Sequence, residues 1–571
     1  MAGELAGIYG RKLCTGGVED RVLKSADNEW WRGAVIYQIY PRSFLDTNND
    51  GIGDLPGIAA RLEYVADLGV DGIWISPFFT SPMKDFGYDV ADYRDVDPVF
   101  GTLADFDALL EKAHRLGLKV LIDQVYAHTS DRHPWFEESR SSRENAKADW
   151  YVWADPKADG SPPNNWQSVF TGPGWTWDAR REQYYHHNFL AEQPHLNLHH
   201  PAVQDALLDV AKFWLRRGVD GFRLDALNHG MHDPLLRNNP RARPPFFTTS
   251  RPYLMQEPRY TMNHPDMPAL LERFRRLTDS FGDVFTLAEV GSGDPLPIQK
   301  AYTADSNRLH SAYGFEFLGM GELTAGNVRR VLDRWNGDPG EGWPCWAFSN
   351  HDVPRVASRW RGEPDPPHRT RLFALLQVSL RGTTLIYQGE ELGLTQAQIP
   401  FEKLQDPEAI NNWPQTFGRD GARTPMPWRR DEARAGFTGA EPWLPLPEEH
   451  RLLSVDVQAN DPHSTLGFFR KAIGLRRSSD ALKTGDLRFL DTGDDLLAFE
   501  RRSGESYALC AFNLTERQVT WTPPVTGKAG RQLSIGCEPW ARRCPAFLPP
   551  FSGYVGLFGD GENPRSRVPG T

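Results

Sequence analysis

Short runs of β-branched and aromatic residues recur between residues 34 and 388, and each has the length and composition of a buried strand. Amphipathic stretches lie between them: Thr102–Leu118 and Pro201–Gly218 place their apolar residues on one face, at spacings of three and four. The predicted strands are Ala34–Tyr40, Gly72–Ser76, Lys119–Val125, Gly221–Leu227, Val284–Val290, Tyr313–Leu318, Cys345–Asn350 and Thr384–Gln388.

Strands that alternate with helices in this way predict an α/β fold, a closed (β/α)8 TIM barrel with insertions. An open, doubly wound sheet is the alternative, but no G-x-G-x-x-G phosphate turn follows the first strand. Thr102 and Asp105 have the spacing of a helix capping box, with Asp in place of Glu.

Segments that break the alternation divide the chain into domains. The insertion after the third strand is rich in Trp, Pro and Asn and is predicted to be a small inserted domain, domain B. Short alternating runs near the end predict a C-terminal all-β sandwich. The predicted division is an N-terminal extension (1–29), the first part of the barrel (30–129), domain B (130–197), the second part of the barrel (198–481, with insertions at about 228–268 and 393–448) and the β-sandwich domain (482–571).

Composition and charge limit the function. The 571 residues include 64 Lys and Arg against 75 Asp and Glu, and no basic stripe of the kind that binds nucleic acid is present. No run approaches the roughly 20 apolar residues of a membrane-spanning helix, and residues 1–20 lack the apolar core of a signal peptide. The five cysteines are an odd number without a C-x-x-C pair, which favours a reducing compartment, and we expect a cytoplasmic protein.

Acidic residues stand at or just past the ends of five predicted strands, on the barrel face where active sites are built. Asp225 and Glu289, on neighbouring strands, have the chemistry of a nucleophile and a general acid for a glycosidic bond. Arg223 lies two residues before Asp225, on the same side of the strand, and could hold that carboxylate ionised. The five acids are Asp123, Asp225, Glu289, Asp352 and Glu390.

Seven short motifs occur in order from Trp30 onward: YQIYPRSF (37–44), FGYD (86–89), DQVYAH (123–128), GFRLD (221–225), AE (288–289), SNHD (349–352) and RTPMPW (423–428). Together they resemble glycoside hydrolase family 13, the α-amylase family. Within it the chain looks like the α-glucosidase and oligo-1,6-glucosidase branch, and is similar to bacterial α-glucosidases of the Xanthomonas and Halomonas type.

The resemblance implies a role for each matching residue. Asp225 matches the nucleophile, Glu289 the acid/base and Asp352 the third carboxylate, which binds sugar hydroxyls. Asp85 and Arg423 match a pair that closes the pocket around the terminal sugar and enforces exo attack. The other matches surround the same sugar: His128, Arg223 and His351 as polar contacts, and Tyr88, Phe170 and Phe189 as aromatic walls.

The segment after the first strand carries oxygen ligands at alternate positions around a glycine turn, as a hard cation requires. The resemblance implies a structural Ca²⁺ or Mg²⁺ here, with Ile52 contributing its carbonyl oxygen, and no organic cofactor. An Asp- and Asn-rich turn without metal is the alternative. The predicted ligands are Asp46, Asn48, Asp50, Ile52 and Asp54.

Three departures from the family pattern refine the expectation. Ala127 stands where Asn often precedes the first-motif histidine, so the calcium site typical of α-amylases is in doubt. His195 interrupts the branch's Q-P-D-L-N segment, which puts the local hydrogen bonding in doubt. Ala226 follows the nucleophile where Val accompanies α-1,6 cleavage in the branch, and it therefore favours α-1,4 bonds.

The resulting hypothesis is a retaining exo-acting α-glucosidase for maltose-sized oligosaccharides, with glucosyl transfer to sugar or alcohol acceptors as a side reaction. Alternatives within the family are a sucrose-directed hydrolase or transferase and an oligo-1,6-glucosidase. A non-catalytic family member serving as an interaction domain is disfavoured, because the three carboxylates are all retained. We expect a monomer or homodimer without nucleic-acid or membrane partners.

Overall fold

The computed structural model describes residues 29–243, 251–291, 293–335, 342–360, 366–537 and 542–559. Almost all of the predicted N-terminal extension therefore lies outside the described residues. The strands are β1 (Val35–Ile39), β2 (Gly72–Ile75), β3 (Phe79–Thr80), β4 (Asp92–Val96), β5 (Lys119–Val125), β6 (Trp153–Ala154), β7 (Trp175–Asp178), β8 (Gln183–His186), β9 (Gly221–Asp225), β10 (Phe285–Val290), β11 (Ser311–Gly314), β12 (Trp343–Ala347), β13 (Thr383–Tyr387), β14 (Asp486–Phe489), β15 (Leu496–Ser503), β16 (Ser506–Asn513), β17 (Val519–Thr520), β18 (Arg531–Ile535), β19 (Phe547–Leu548) and β20 (Ser552–Phe558).

Helices follow most of the barrel strands. The α-helices are α1 (Leu55–Ala60), α2 (Leu62–Asp67), α3 (Leu103–Arg115), α4 (Pro134–Ser141), α5 (Pro201–Arg217), α6 (Met267–Asp279), α7 (Leu296–Thr303), α8 (Ala325–Asp333), α9 (Val356–Arg359), α10 (Pro366–Ser379), α11 (Pro407–Asn412), α12 (Glu448–Arg451), α13 (Val455–Gln458), α14 (Thr465–Arg477) and α15 (Asp480–Lys483). Short 3-10 helices lie at Pro41–Ser43, Leu227–His229, Pro252–Met255, Ala304–Ser306, Phe401–Lys403, Asp420–Ala422 and Ala433–Gly436.

Eight parallel strands form a closed barrel in the order β1-β13-β12-β11-β10-β9-β5-β2. All eight predicted strands belong to it, so the predicted TIM barrel is confirmed. The sixth prediction is misplaced at its end: β11 covers Ser311–Gly314, and residues 315–318 have already turned out of the barrel. Pairing of Val35 with Thr384 closes the ring between the first and last barrel strands.

Side chains alternate along each barrel strand, and this alternation sorts apolar from polar residues. In β9, Phe222 and Leu224 belong to the main hydrophobic core, and the Phe222 ring packs 5.8 Å from that of Phe274 in α6. Arg223 and Asp225 therefore point to the opposite side, into the barrel. A charged side chain can be buried there only because oppositely charged side chains lie on neighbouring strands.

The helices that pack on the barrel begin and end where their sequence predicts. Thr102 and Asp105 form the predicted capping box at the start of α3. Helix α5 ends at Gly218, whose φ of 105° is in the left-handed region that glycine adopts without strain.

Smaller sheets lie outside the barrel. A three-stranded sheet, β6-β8-β7, lies within the predicted domain B, and β3 pairs with β4 before it. In the C-terminal region a five-stranded sheet, β14-β15-β16-β20-β18, accompanies the β17-β19 pair. The all-β C-terminal region is confirmed, whereas the domain boundaries stay predictions.

In the described part of the chain, no helix combines the length and the apolar character needed to cross a bilayer. Four cysteines lie in the same part of the chain, and all four are free thiols: Cys345, Cys510, Cys537 and Cys544.

Candidate active site

A buried arginine forms the base of the site. Arg223 is fully buried, and its Nη1 donates to Asp123 at 2.8 Å and to Asp225 at 2.7 Å. Its Nη2 lies 2.6 Å from Oε2 of Glu289. The strand register explains this convergence, because Arg223 lies beside Asp123 of β5 on one side and Leu287 of β10 on the other.

One guanidinium therefore contacts three carboxylates from three adjacent strands. The Asp225 and Glu289 carboxylates occupy neighbouring nitrogens of the same planar group, which is compatible with the separation of about 5–5.5 Å that a retaining glycosidase requires. Tyr313 of β11 accepts a hydrogen bond from Arg223 and donates one to Glu289 at 3.2 Å. These contacts fix both carboxylates before any ligand is present.

The charge balance of this cluster determines its protonation. Burial raises the pKa of Asp225 well above its usual range; the Arg223 charge opposes this, while Glu289 and Asp123 add to it. Burial likewise raises the pKa of Asp123 to about 6. The Asp225 and Asp123 carboxyl groups therefore hold protons more readily than exposed carboxyl groups do, and Arg223 supplies the opposing charge.

A chain of hydrogen bonds connects His351 to the same cluster. The Gln38 amide donates to Nδ1 of His351 at 2.8 Å, so Nε2 carries the proton and donates to the Tyr88 hydroxyl at 2.7 Å. Tyr88 donates in turn to Asp123 at 3.2 Å and stacks on the His351 ring. Burial lowers the pKa of His351 to about 3, which makes it a neutral donor.

His128 is a second neutral histidine on the pocket wall. Its Nε2 donates to the Tyr88 carbonyl at 3.0 Å, and burial lowers its pKa to about 4. Its Nδ1 is enclosed by the protein and has no hydrogen-bond partner among the described residues.

Asp352 lies beyond β12 and is surrounded by cations. Arg423 Nη2 lies 3.0 Å and Arg419 Nη1 3.5 Å from its Oδ1. Burial opposes ionisation of Asp352, but the neutral His351 ring beside it and the charges of Arg423 and Arg419 outweigh burial and hold its pKa well below the usual range. Asp352 is thus a fixed anion in the pocket.

The structure corrects one predicted pairing. Asp85 does not pair with Arg423; its partner is Arg419, whose Nη2 lies 2.8 Å from Oδ1 of Asp85. Arg423, four residues later, donates to the His351 carbonyl and to Asp352 instead. Arg419 also contacts Asp406 at 2.8 Å, so a single buried guanidinium connects the segment after β13 to the loop that carries Asp85.

These side chains line a cavity of about 200 Å³ at the carboxyl ends of the barrel strands. This volume is below the range of about 300–1,000 Å³ typical of drug-sized ligands and suits a single monosaccharide. Nine of the eleven predicted catalytic and substrate-binding residues line it, while Arg223 lies beneath it and Arg423 behind Asp352. The lining residues are Asp85, Tyr88, His128, Val169, Phe170, Phe189, Asp225, Ala226, Asn228, His229, Glu289, Gly291, Phe315, His351, Asp352, Glu408 and Arg419.

Aromatic rings form one side of the cavity. Phe170 and Phe189 lie 5.7 Å apart between ring centroids, and Phe189 packs against His128 at 5.3 Å. The Arg419 guanidinium lies 4.9 Å from the centre of the Phe170 ring. The aromatic rings give the pocket an apolar wall, and the carboxylates give it a charged wall. A bound sugar ring needs both kinds of contact.

Several pocket residues were not predicted from the sequence. Gln193 donates to Asp85 at 3.1 Å and lies 3.1 Å from His128, so the altered Q-P-H-L-N segment still contributes a pocket contact. Glu408 reaches the cavity from α11 and pairs with Arg251 at 2.8 Å. Glu390, which was predicted among the acids of this barrel face, does not line the cavity.

The loop after β1 is wrapped around its own acidic side chains. Asp46 accepts the backbone N–H groups of Asn48, Asn49 and Gly51. Asp54 accepts from Thr47 and caps α1 through the Gly57 N–H. Side-chain and carbonyl oxygens are thus gathered in one turn, and this donor chemistry suits a hard cation.

Comparison with known proteins agrees with this geometry. Residues 38–485 match the family described as "Alpha amylase, catalytic domain". This chain belongs to the alpha-amylase family, glycoside hydrolase family 13. A "Probable alpha-glucosidase" of Rhizobium meliloti is 54% identical over 510 residues, which cover 88% of this chain and 92% of that protein.

More distant relatives and solved structures lie in the same branch. An "Oligo-1,6-glucosidase" of Parageobacillus thermoglucosidasius is 36% identical over 87% of this chain and 92% of its own length. The crystal structure of an "alpha-glucosyl transfer enzyme" superposes with a TM-score of 0.87 at 50% identity, covering 92% of this chain and 99% of that one. A "trehalulose synthase" superposes with a TM-score of 0.83 at 31% identity, covering 93% and 100%. The predicted family and enzyme class, a glycoside hydrolase of the α-glucosidase branch, are confirmed.

Proposed function

We propose that the protein is a retaining, exo-acting α-glucosidase that removes single glucose units from maltose-sized oligosaccharides and favours α-1,4 bonds. The observation that carries this proposal is the contact of one arginine, Arg223, with both Asp225 and Glu289 at the base of a pocket of monosaccharide size. The opposite end of the pocket is closed by the Asp85–Arg419 pair, which leaves no passage for a continuing polymer.

In the proposed first step, Asp225 attacks the anomeric carbon and the glycosidic C1–O bond breaks. Glu289 gives its proton to the departing oxygen, so the leaving sugar departs as a neutral alcohol. The product of this step is a covalent glucosyl ester on Asp225. Arg223 remains bonded to the Asp225 carboxylate and balances its changing charge.

In the second step, Glu289 takes a proton from water, and the resulting hydroxide oxygen attacks the anomeric carbon. The ester bond to Asp225 breaks, and two inversions restore the original configuration. Asp352 stays ionised in both steps. It therefore accepts hydrogen bonds from sugar hydroxyl groups and does not take up their protons. The neutral His351 and His128 contact the same ring.

Transfer requires only that an alcohol or sugar replace water in the second step. The similarity to an "alpha-glucosyl transfer enzyme" and to a "trehalulose synthase" keeps transfer and sucrose use as alternatives.

The proposed metal is structural. In the loop after β1, side-chain oxygens of Asp46, Asn48, Asp50 and Asp54 and the Ile52 carbonyl would hold Ca²⁺ or Mg²⁺. The ion would balance the charges of Asp46, Asp50 and Asp54 and fix the loop against residues 437–439, which already bond to it through Asp46 and Asn49. It takes no part in bond cleavage.

We also infer a cytoplasmic location and no nucleic-acid partner, with a monomer or homodimer as the assembly. The free state of the four described cysteines supports a reducing compartment.

The test is initial glucose release from maltose, sucrose and isomaltose, with Asp225→Asn as the blank. Maltose ahead of isomaltose, with the α-anomer of glucose formed first, supports the proposal. Sucrose ahead of both would reassign the substrate, and a β-anomer would overturn the retaining mechanism. Glu289→Ala separates the acid/base role of Glu289 from the nucleophile role of Asp225. Azide is a nucleophile that needs no base, so it should restore turnover of an activated aryl glucoside in Glu289→Ala. It should not do so in Asp225→Asn.

A further inference from the structure

Two histidines and an aspartate meet on the surface beside domain B, away from the catalytic pocket. His199 lies just before α5, and His264 and Asp266 precede α6. Nδ1 of His199 lies 3.9 Å and Nδ1 of His264 3.7 Å from Oδ2 of Asp266. Over the described ranges, these are the only three His, Cys, Asp or Glu side chains whose ligand atoms all lie within 4.8 Å of one another.

Both imidazoles present an unprotonated nitrogen to this point. Nε2 of His199 donates to the His232 carbonyl at 2.8 Å, which leaves Nδ1 as the lone-pair nitrogen. The Asp266 backbone N–H donates to Nδ1 of His264 at 3.3 Å, so that nitrogen is unprotonated as well, and a metal ion there would replace this long hydrogen bond. His199, with its ring N–H held by a backbone carbonyl and its other nitrogen free, has the usual arrangement of a metal-ligating histidine.

The surroundings hold the two rings in place. The His199 ring packs edge-on against His264 at 4.8 Å and against His232 at 5.2 Å between centroids. His199 and His264 are half-buried, whereas the Asp266 side chain is 66% exposed and makes no helix-cap hydrogen bond. Two fixed ligands and one mobile ligand therefore face an open side where water can complete a coordination sphere.

We propose that His199, His264 and Asp266 bind a divalent transition-metal ion of the Zn²⁺ type, with water as a further ligand. Two imidazole nitrogens and a carboxylate oxygen form a borderline-soft set, which suits Zn²⁺ rather than Ca²⁺ or Mg²⁺. Tetrahedral ligands about 2.0–2.1 Å from zinc lie roughly 3.3 Å apart, so the three ligand atoms, all within 4.8 Å of one another, would move closer together around a bound ion.

The ion would join the start of α5 to the segment before α6, and the second of these contacts the wall of the catalytic pocket. Asn263, next to His264, donates its backbone N–H to the Asn228 carbonyl at 2.7 Å, and its side-chain oxygen accepts from the Asn228 amide at 3.1 Å. Asn228 lines the pocket and also bonds to Gly291, two residues after Glu289. Metal binding is therefore expected to stabilise the insertion after β9 against the start of α5. The binding itself does not depend on the proposed activity.

The test is calorimetric titration of chelator-treated protein with ZnCl₂, in buffer with excess Ca²⁺ so that the loop after β1 does not compete. The full-length protein should bind one Zn²⁺ tightly, with a rise in Tm. His199→Gln/His264→Gln should weaken binding at least about 100-fold and Asp266→Asn about tenfold, in line with the loss of direct ligands. Co²⁺ substitution should give a visible absorption band that the double variant lacks.

Two control variants make the test specific. His463→Gln removes an exposed histidine outside the cluster, and Asp225→Asn removes a catalytic carboxylate, so both should bind Zn²⁺ as the parent protein does. Unchanged binding in the double variant would overturn the proposal, as would loss of binding in Asp225→Asn. If the double variant does not fold, Asp266→Asn decides the matter, because among the described residues its exposed side chain forms ion pairs only within this cluster. Unchanged Zn²⁺ affinity in that variant would overturn the proposal.

Discussion

Arg419 donates a hydrogen bond to Asp85 at 2.8 Å across the closed end of the pocket, although the two residues are 334 positions apart in the chain. The same guanidinium holds Asp406, whose pKa its charge lowers to about 2 against the effect of burial. The wall that limits the pocket to one sugar is thus an ion-pair network anchored in two distant segments.

We expect Arg419→Gln to lower kcat/KM for maltose by at least about 100-fold, because Asp85 and Asp406 lose their buried counter-charge. Removing one partner of a buried ion pair costs about 3–5 kcal/mol. Steady-state glucose release checks this, and Arg429→Gln, which removes a surface arginine paired with Glu432, is the matched control with little effect. An Arg419→Gln protein with parental kinetics would contradict the assignment.

Asp85→Ala opens the same wall without removing the arginine. We expect this variant to release longer products from soluble starch, since the polymer would no longer meet a closed end. Chromatography of the products over time measures the effect. If glucose stays the sole product, the Asp85–Arg419 pair does not determine exo attack.

Ala226 connects linkage preference to backbone conformation. Its φ of 37° is in the left-handed region, and its N–H donates to Glu289 at 3.0 Å. We expect Ala226→Val to raise the isomaltose-to-maltose activity ratio by narrowing the pocket, and to destabilise the protein by about 1–2 kcal/mol because a β-branched residue is strained there. Ala226→Gly, which relieves strain without adding volume, is the control; equal ratios in all three proteins would refute the linkage argument.

Acid should destabilise the fold through its buried histidines. Burial lowers the pKa of seven of them to about 3 or 4, namely His128, His133, His187, His229, His232, His351 and His450. In the unfolded chain they titrate near 6.5, so between about pH 6.5 and 4 the unfolded state binds protons that the folded state does not. Stability therefore falls as pH decreases through this window.

Buried acids, Asp225 among them, act in the opposite direction and offset part of this effect. Burial raises the pKa of Asp89 and Asp123 to about 6 and that of Glu390 to about 8, so these groups hold protons in the folded state. Each uncompensated proton changes the free energy of unfolding by about 1.4 kcal/mol per pH unit. Urea unfolding at pH 7, 6 and 5 should show a falling midpoint, with a shallower fall in His450→Gln than in the exposed-site control His463→Gln. A midpoint that rises on acidification would contradict the sign.

Removal of the hard cation should lower thermal stability without changing the chemistry. We expect EDTA to lower Tm by several degrees and Ca²⁺ or Mg²⁺ to restore it, because an ion that binds the folded loop and not the unfolded chain stabilises the fold. Asp50→Ala should abolish the response, and Asp431→Ala, an exposed acid outside the loop, should keep it. A Tm that EDTA leaves unchanged in the parent protein would favour a metal-free turn.

The barrel and most of the pocket could be predicted because their signal is local. A buried strand such as Gly221–Asp225 shows its alternation directly, and an arginine and an aspartate inside it have no ordinary structural explanation. The partner of Asp85 could not be predicted in this way. Arg419 and Arg423 lie in an irregular loop without period or register, so nothing in the spacing says which of them turns toward Asp85.

The histidine cluster beside domain B shows the same limit. His199 and His264 are 65 positions apart, and only the packing of α5 beside α6 brings them together. The end of the sixth strand was also misplaced, because Phe315 and Phe317 continue an apolar run after the chain has left the sheet. The hydrophobic pattern shows which residues are buried, and residues can stay buried after the chain has turned out of the strand.

Closure of the barrel by β1 and β13 also has a consequence for synthesis of the protein. Val35 emerges from the ribosome long before its partner Thr384, and at roughly 5–20 residues per second the interval is on the order of tens of seconds. For that time one edge of β1 has no parallel neighbour, and Asp225 and Glu289 are already made but not yet enclosed. The nascent chain must therefore carry an unpaired strand edge, the kind of surface that chaperones protect, until translation has passed the last barrel strand.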